Sequence, residues 1–287
     1  MSKQNIELLA SYFTLAGDVY PFGPTEISPY SLQERAEVSA KAGWKGLGFS
    51  HADLMVTAQK IGLKTAKQIL DDNGIKHREI EFLVDWYLDG EKRKASDVQR
   101  VEMLETAQTI GARKIKIAPG LHDYTPANIP VMRDAFAGLC EDARKYDVTI
   151  VMEVMPFSNV ATIDTALAII AGANQPNGGI LVDNWHIQRG GMPYSEIAKI
   201  PPQFLKAVEL DDALEEVQGT LWEDTIYHRL LCGEGCFNPP EFIKEVQQVG
   251  YDDYYGVEIL SQVYRKLPLE EIARRAFETT MAQFNRD

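Results

Sequence analysis

Four carboxylates sit inside apolar runs where a bare charge is costly. They occur in Ile150-Val-Met-Glu153-Val-Met, Ile180-Leu-Val-Asp183, Ala207-Val-Glu209-Leu and Gly256-Val-Glu258-Ile-Leu. A buried carboxylate needs a base, hydrogen bonds or a metal to compensate its lost hydration. One such acid could be explained by an ion pair. Four in succession, with few Lys or Arg close by in sequence, point to a divalent cation that satisfies all of them, and an all-oxygen donor set suits Mg²⁺ or Mn²⁺ best. The alternative is a set of separate salt bridges. Glu81 ends a further apolar run and joins the candidates. Asp183 is followed by Asn184-Trp185-His186, and a residue three positions past a strand-end ligand can turn back over it, so His186 is a candidate to touch substrate, carry a proton or ligate.

These acids need elements that bring them together. Short apolar runs recur near Ile6–Leu15, Lys45–Ser50, Lys76–Leu83, Lys114–Ala118, Thr149–Met155, Gly179–Asp183, Leu205–Leu210 and Tyr255–Leu260. Several lack polar alternation, as strands buried on both faces should. Helical segments are expected between them: Ser31–Ala42, opened by Ser31 and Glu34 at capping-box spacing, Ala52–Asn73, Ala95–Ile110, Ala127–Tyr146, Thr162–Gly172, Pro239–Val249 and Pro268–Phe284. A short one is expected near Tyr194–Ala198. Eight strands alternating with helices predict a (β/α)₈ barrel as a single domain over residues 1–287. In that fold the C-terminal ends of the strands form the catalytic rim, and Glu81, Glu153, Asp183, Glu209 and Glu258 all map there. His51, just past the second strand, shares the rim, as does His122 less directly. His77 precedes its strand and belongs to the opposite end. Arg229, in a glycine-bearing loop, could neutralise a substrate oxyanion or tie Asp211 or Asp212 in place. The loop Ala16–Tyr30, with Tyr20, Phe22 and Tyr30, reads as a rim cover.

Composition narrows the function. Twenty-nine basic and 42 acidic residues give a net charge of −13 with no basic block, which disfavours a surface for nucleic acid. Three cysteines, 140, 232 and 236, exclude a disulfide framework and suit a reducing compartment. Cys232 and Cys236 lack the further ligands of a structural zinc site. No signal peptide or bilayer-spanning apolar run is read in the chain, so a cytoplasmic protein without membrane association is expected.

The acids, together with Val182-Asp183-Asn184-Trp185-His186, Leu210-Asp211-Asp212-Ala213, Arg229-Leu-Leu-Cys-Gly-Glu-Gly and Val257-Glu258-Ile259, resemble the xylose isomerase-like barrel superfamily, in particular its sugar phosphate isomerase/epimerase branch. The resemblance spans nearly the whole chain. It implies one divalent metal on Glu153, Asp183, Glu209 and Glu258, with Mn²⁺ or Mg²⁺ expected and Zn²⁺, Co²⁺ or Fe²⁺ as alternatives. His186 would contact substrate, with His51, Glu81 and Arg229 as further substrate-binding candidates. One departure stands out: the family usually has His or Gln at the seventh strand, where this chain has Glu209. The implied reaction is isomerisation or epimerisation of a sugar, keto-sugar or cyclitol through an enediolate, with Glu153 and Glu258 near enough to act as bases and His186 as proton carrier. The runner-up is a dehydratase or lyase of the same superfamily, similar to inosose or dehydroshikimate dehydratases or to the barrel subunits of C-glycoside-cleaving lyases. The endonuclease branch, which binds several zinc ions through extra histidines, fits poorly with five histidines. The expected partner is a small polyhydroxy carbonyl substrate, and relatives that assemble as oligomers imply a homo-oligomer or a partner subunit.

Overall fold

The computed structural model describes residues 6–284. Eight parallel strands close into a barrel in chain order, with β1 (Leu8–Ala10) pairing with both β2 (Gly46–Ser50) and β8 (Tyr255–Val257). Between them run β3 (His77–Leu83), β4 (Lys114–Ile117), β5 (Thr149–Glu153), β6 (Gly178–Asp183) and β7 (Leu205–Leu210). Because side chains two apart share a face, each acid stands above an apolar residue. Val151, Leu181 and Ala207 lie two positions before Glu153, Asp183 and Glu209, and they form a separate buried cluster inside the barrel. The main core lies outside the strands, under the helices.

The helices are α1 (Leu32–Ala42), α2 (His51–Ile61), α3 (Leu63–Asp72), α4 (Gly90–Ile110), α5 (Ile129–Arg144), α6 (Ile163–Ala173), α7 (Asn184–Arg189), α8 (Leu221–Tyr227), α9 (Pro239–Val249) and α10 (Leu269–Gln283). The Ser31–Glu34 capping box at the start of α1 is present. No helix among the described residues is long and apolar enough to cross a membrane.

Three expectations are corrected. The helix expected over Ala52–Asn73 is two helices, because Gly62 adopts φ +78°, outside the helical region. The first strand is shorter than Ile6–Leu15. After Ala10 the chain turns in a 3₁₀ segment, Tyr12–Thr14, and the Thr14 hydroxyl donates to the Val257 carbonyl (2.7 Å) while accepting from Ile259 N–H (2.9 Å). That side chain takes over hydrogen bonds that a longer β8 would make, so Glu258 lies one residue beyond the strand. The segments α7 and α8 were not expected. The Thr220–Glu223 capping box that opens α8 was nonetheless visible in the sequence.

Candidate active site

Register brings the acids level. Asp183 on β6 pairs with Glu209 on β7, and Glu209 pairs with Gly256 on β8. A β-carbon at Gly256 would stand 2.7 Å from Glu209 Cγ, so the bare glycine leaves room for that side chain. One carboxylate oxygen each from Glu153, Asp183, Glu209 and Glu258 falls within 4.8 Å of the others. That span is comparable with twice a metal–oxygen bond of about 2.0–2.6 Å. Glu153, Asp183 and Glu209 are buried, and Glu258 is nearly so, with its side chain 12% exposed.

Two cations reach this cluster, which corrects the expectation that few bases lie near. Arg229 is fully buried. Its Nη1 donates to Asp183 Oδ2 (2.6 Å) and to Asp211, and its Nη2 lies 3.3 Å from Glu258 Oε2. Of the two roles left open for Arg229, the tie to Asp211 is therefore present. Asp212 instead accepts backbone N–H groups from Ala213, Gly233 and Phe237. The second cation, Lys116 on β4, was missed. Its Nζ lies 2.5 Å from Glu209 Oε1, 2.9 Å from Glu81 Oε2 and 3.5 Å from Glu79 Oε2. The Ser11 hydroxyl also donates to Glu209 Oε1, and Tyr12 N–H donates to Glu81 Oε1 (3.0 Å). The signal for Lys116 was the run Lys-Ile-Lys-Ile in a strand buried on both faces: its phase places a lysine inside the barrel.

Electrostatics follow from this crowding. Burial pushes the Glu153 and Glu258 carboxyls well above the usual carboxylate range, and repulsion from Glu209 adds to it. Burial likewise raises Asp211, with Asp183 adding repulsion. Asp183 moves the other way: burial opposes its charge, but Arg229 and hydrogen bonds to the carboxylate outweigh it. Burial works against the charge on Lys116 too, yet Glu209, Glu81 and Glu79 hold it well above the ordinary lysine value. The His186 imidazole is pushed down to about 4 by burial, so it is neutral near pH 7. Seven carboxyl groups, from residues 79, 81, 153, 183, 209, 211 and 258, thus share two cations, Lys116 and Arg229, and the neutral His186 beside Glu153. Glu153 Oε1 and Glu209 Oε2 are buried with no hydrogen-bond partner. Excess negative charge and unpartnered oxygens in one cluster fit a divalent cation.

A cavity of about 250 Å³ opens above the cluster at the C-terminal rim. Glu81, Glu153, His186, Arg229 and Glu258 line it, and so does His51 at the start of α2; Asp183 and Glu209 lie deeper. His186 reaches it because Asp183 caps α7, accepting from the N–H groups of Trp185 and His186. That turn places His186 Nε2 3.1 Å from Glu153 Oε1, outside hydrogen-bonding angles, and 3.4 Å from Arg229 Nη2. His51 turns toward Glu102, 3.0 Å away. Pro21, Phe22 and Glu26 of the loop over Ala16–Tyr30 line the rim, as a cover would. His122 packs edge-on against Trp222 at the same end. His77 sits at the opposite end of the barrel, 2.6 Å from Glu7 and stacked on Tyr254.

The closed eight-stranded barrel gathers its acids on the C-terminal rim, and comparison with known proteins identifies the family. Residues 36–282 match the family described as xylose isomerase-like TIM barrel, and the chain belongs to that family. Inosose isomerase of Bacillus subtilis (strain 168) is 23% identical over 184 residues, a match covering 62% of this chain and 65% of that relative, just under two thirds of its length. Among solved structures, a protein named IOLI with a bound zinc atom superposes with a TM-score of 0.85 at 20% identity, covering 97% of this chain and 98% of the other. A D-psicose 3-epimerase solved in the presence of D-fructose superposes at 0.73 with 13% identity, covering 96% and 98%.

Proposed function

We propose that this barrel, read as one domain over residues 1–287, is a divalent-metal-dependent isomerase or epimerase acting on a sugar, keto-sugar or cyclitol. The observation that carries the reading is the convergence of four carboxylate oxygens within 4.8 Å on the floor of the cavity. Glu153, Asp183, Glu209 and Glu258 would hold the ion, with Mn²⁺ or Mg²⁺ favoured by the all-oxygen donor set. The relatives named as isomerases and epimerases, and the zinc bound in a neighbour of the same fold, support the reading. When bound, a divalent ion supplies polarisation of a substrate carbonyl and lowers the pKa of the adjacent C–H.

The chain's own groups divide the remaining work. Glu153 comes from β5 and Glu258 from the end of β8, so they approach the cavity from strands three apart around the barrel. A proton removed by one can be returned by the other on the opposite face, which is epimerisation; return to the neighbouring carbon is isomerisation. His186, neutral and 3.1 Å from Glu153, is placed to relay that proton or hold a substrate hydroxyl. Arg229 holds Asp183 ionised, pairs with Asp211 and lines the cavity. His51 and Glu81 complete the substrate-facing rim.

Turnover in D₂O tests the reaction. Deuterium should enter the carbon next to the carbonyl in product and in recovered substrate. Label in product alone would favour elimination, the dehydratase or lyase course. No label anywhere, with no isotope effect on that C–H, would rule out enolisation.

A further inference from the structure

Above the carboxylates the cavity changes character. Phe22, 61% exposed at the mouth, packs 5.8 Å from Trp222 of α8 (ring centroids); Trp222 lies 5.5 Å from Phe157, and Phe157 lies 5.5 Å from His186 on the floor. An aromatic wall therefore runs without a break from solvent to the acids. Phe82, Leu121 and Trp222 pack against a buried apolar cluster that includes Phe157 and Met155, and Leu260 closes the other side. Polar side chains do occur on this upper wall, and most of them bond to neighbouring protein groups. Glu26 accepts from Phe22 N–H (2.9 Å) and from the Ser50 hydroxyl (3.0 Å). Gln99 donates to the Phe82 carbonyl (3.2 Å) and Thr225 Oγ1 accepts from Arg229 (2.8 Å), while His51 Nε2 lies 3.0 Å from Glu102 without a hydrogen bond.

A free polyhydroxylated ring filling the whole cavity would have to set its outer hydroxyls against this wall, and a hydroxyl buried without a partner is costly. We infer that the substrate carries a flat apolar substituent, an aryl group, on a polyhydroxy carbonyl head: the head lies on the carboxylates and the aryl group lies against the wall of Phe22, Trp222 and Phe157. The head's placement rests on the function proposed above; the aryl subsite rests on the wall alone. Offset or edge-on contact with these rings, and removal of the aryl face from water, supply the binding.

The test uses a matched pair of probes, methyl and phenyl 3-keto-β-D-glucopyranoside, titrated into the full chain with and without added Mn²⁺ and followed by calorimetry and tryptophan fluorescence. The phenyl compound should bind at least roughly tenfold tighter, the scale expected for burying one aromatic ring. It should also quench fluorescence. Phe22→Ala and Trp222→Ala should each erase most of the difference; Phe22 is exposed enough for its loss to leave the fold intact. Equal or weaker phenyl binding, no phenyl binding at all, or a preference untouched by both substitutions would overturn the inference. A phenyl preference in a protein that retains no metal by elemental analysis would keep the aryl subsite and sink the metal-dependent reading, so the two failures are distinguishable.

Discussion

Lys116 Nζ stands 2.5 Å from Glu209 Oε1, a buried ion pair that crosses the barrel interior from β4 to β7. Ser11 donates to the same oxygen, and Glu209 Oε2 is left buried with no hydrogen-bond partner. The pair accounts physically for a glutamate at a position where the resemblance leads one to expect a neutral His or Gln. Lysine and glutamate together bring the same net charge as one neutral ligand.

This pairing predicts strong coupling. Lys116→Met should destabilise the fold by about 3–5 kcal/mol, because it strands buried carboxylates without their counter-ion. Glu209→Gln in the same background should recover part of that loss. A double-mutant cycle by urea denaturation measures it, and additive effects would show that the two residues are independent.

The metal reading predicts that Glu153→Gln and Asp183→Asn each abolish metal retention and activity while the barrel stays folded. Elemental analysis of the purified variants checks this, and full occupancy in both would remove them from the ligand set. For the parent protein, chelation should lower the melting temperature and added Mn²⁺ should restore it, since an ion bound only by the folded state stabilises it by mass action.

Glu209→Gln by itself should weaken metal affinity and shift preference away from the hardest cations. An unchanged affinity would leave Glu209 as the counter-ion of Lys116 only.

If His186 moves the proton, His186→Asn should lower kcat by about 10² or more. If it holds a substrate hydroxyl, the change should fall mainly on KM. Steady-state kinetics on a converted substrate separates the two.

The cysteines give a check on the fold itself. Burial pushes the Cys140 thiol up to about 12, and it raises the fully buried Cys232 as well. Cys236 is exposed. An aromatic disulfide reagent at pH 8 should therefore titrate one thiol quickly in the native protein and all three in urea. Three fast thiols before denaturation would contradict the packing of α5 on β6, which covers Cys140, and of α10 on Cys232.

What could be read without coordinates was whatever the strand period imposes. A parallel barrel buries both faces of its strands, so apolar runs mark the strands, and an acid inside such a run marks the rim. Glu153, Asp183, Glu209 and Glu258 were legible for that reason. So was Ser31 as the cap of α1, since capping chemistry is local. Closure of the ring decided the rest. It set Lys116 against Glu209, 93 residues away, and Arg229 against Asp183, 46 away. Pairings at such separations leave no periodic trace in the chain. The helix expected over Ala52–Asn73 divides at Gly62 by that residue's own positive φ, whereas a tertiary contact ended β8 before Glu258, where the Thr14 hydroxyl takes the next ladder bond. The aromatic wall is of the same kind: Phe22 and Phe157 come from loops and Trp222 from α8, and only the closed barrel brings them to one side of one cavity.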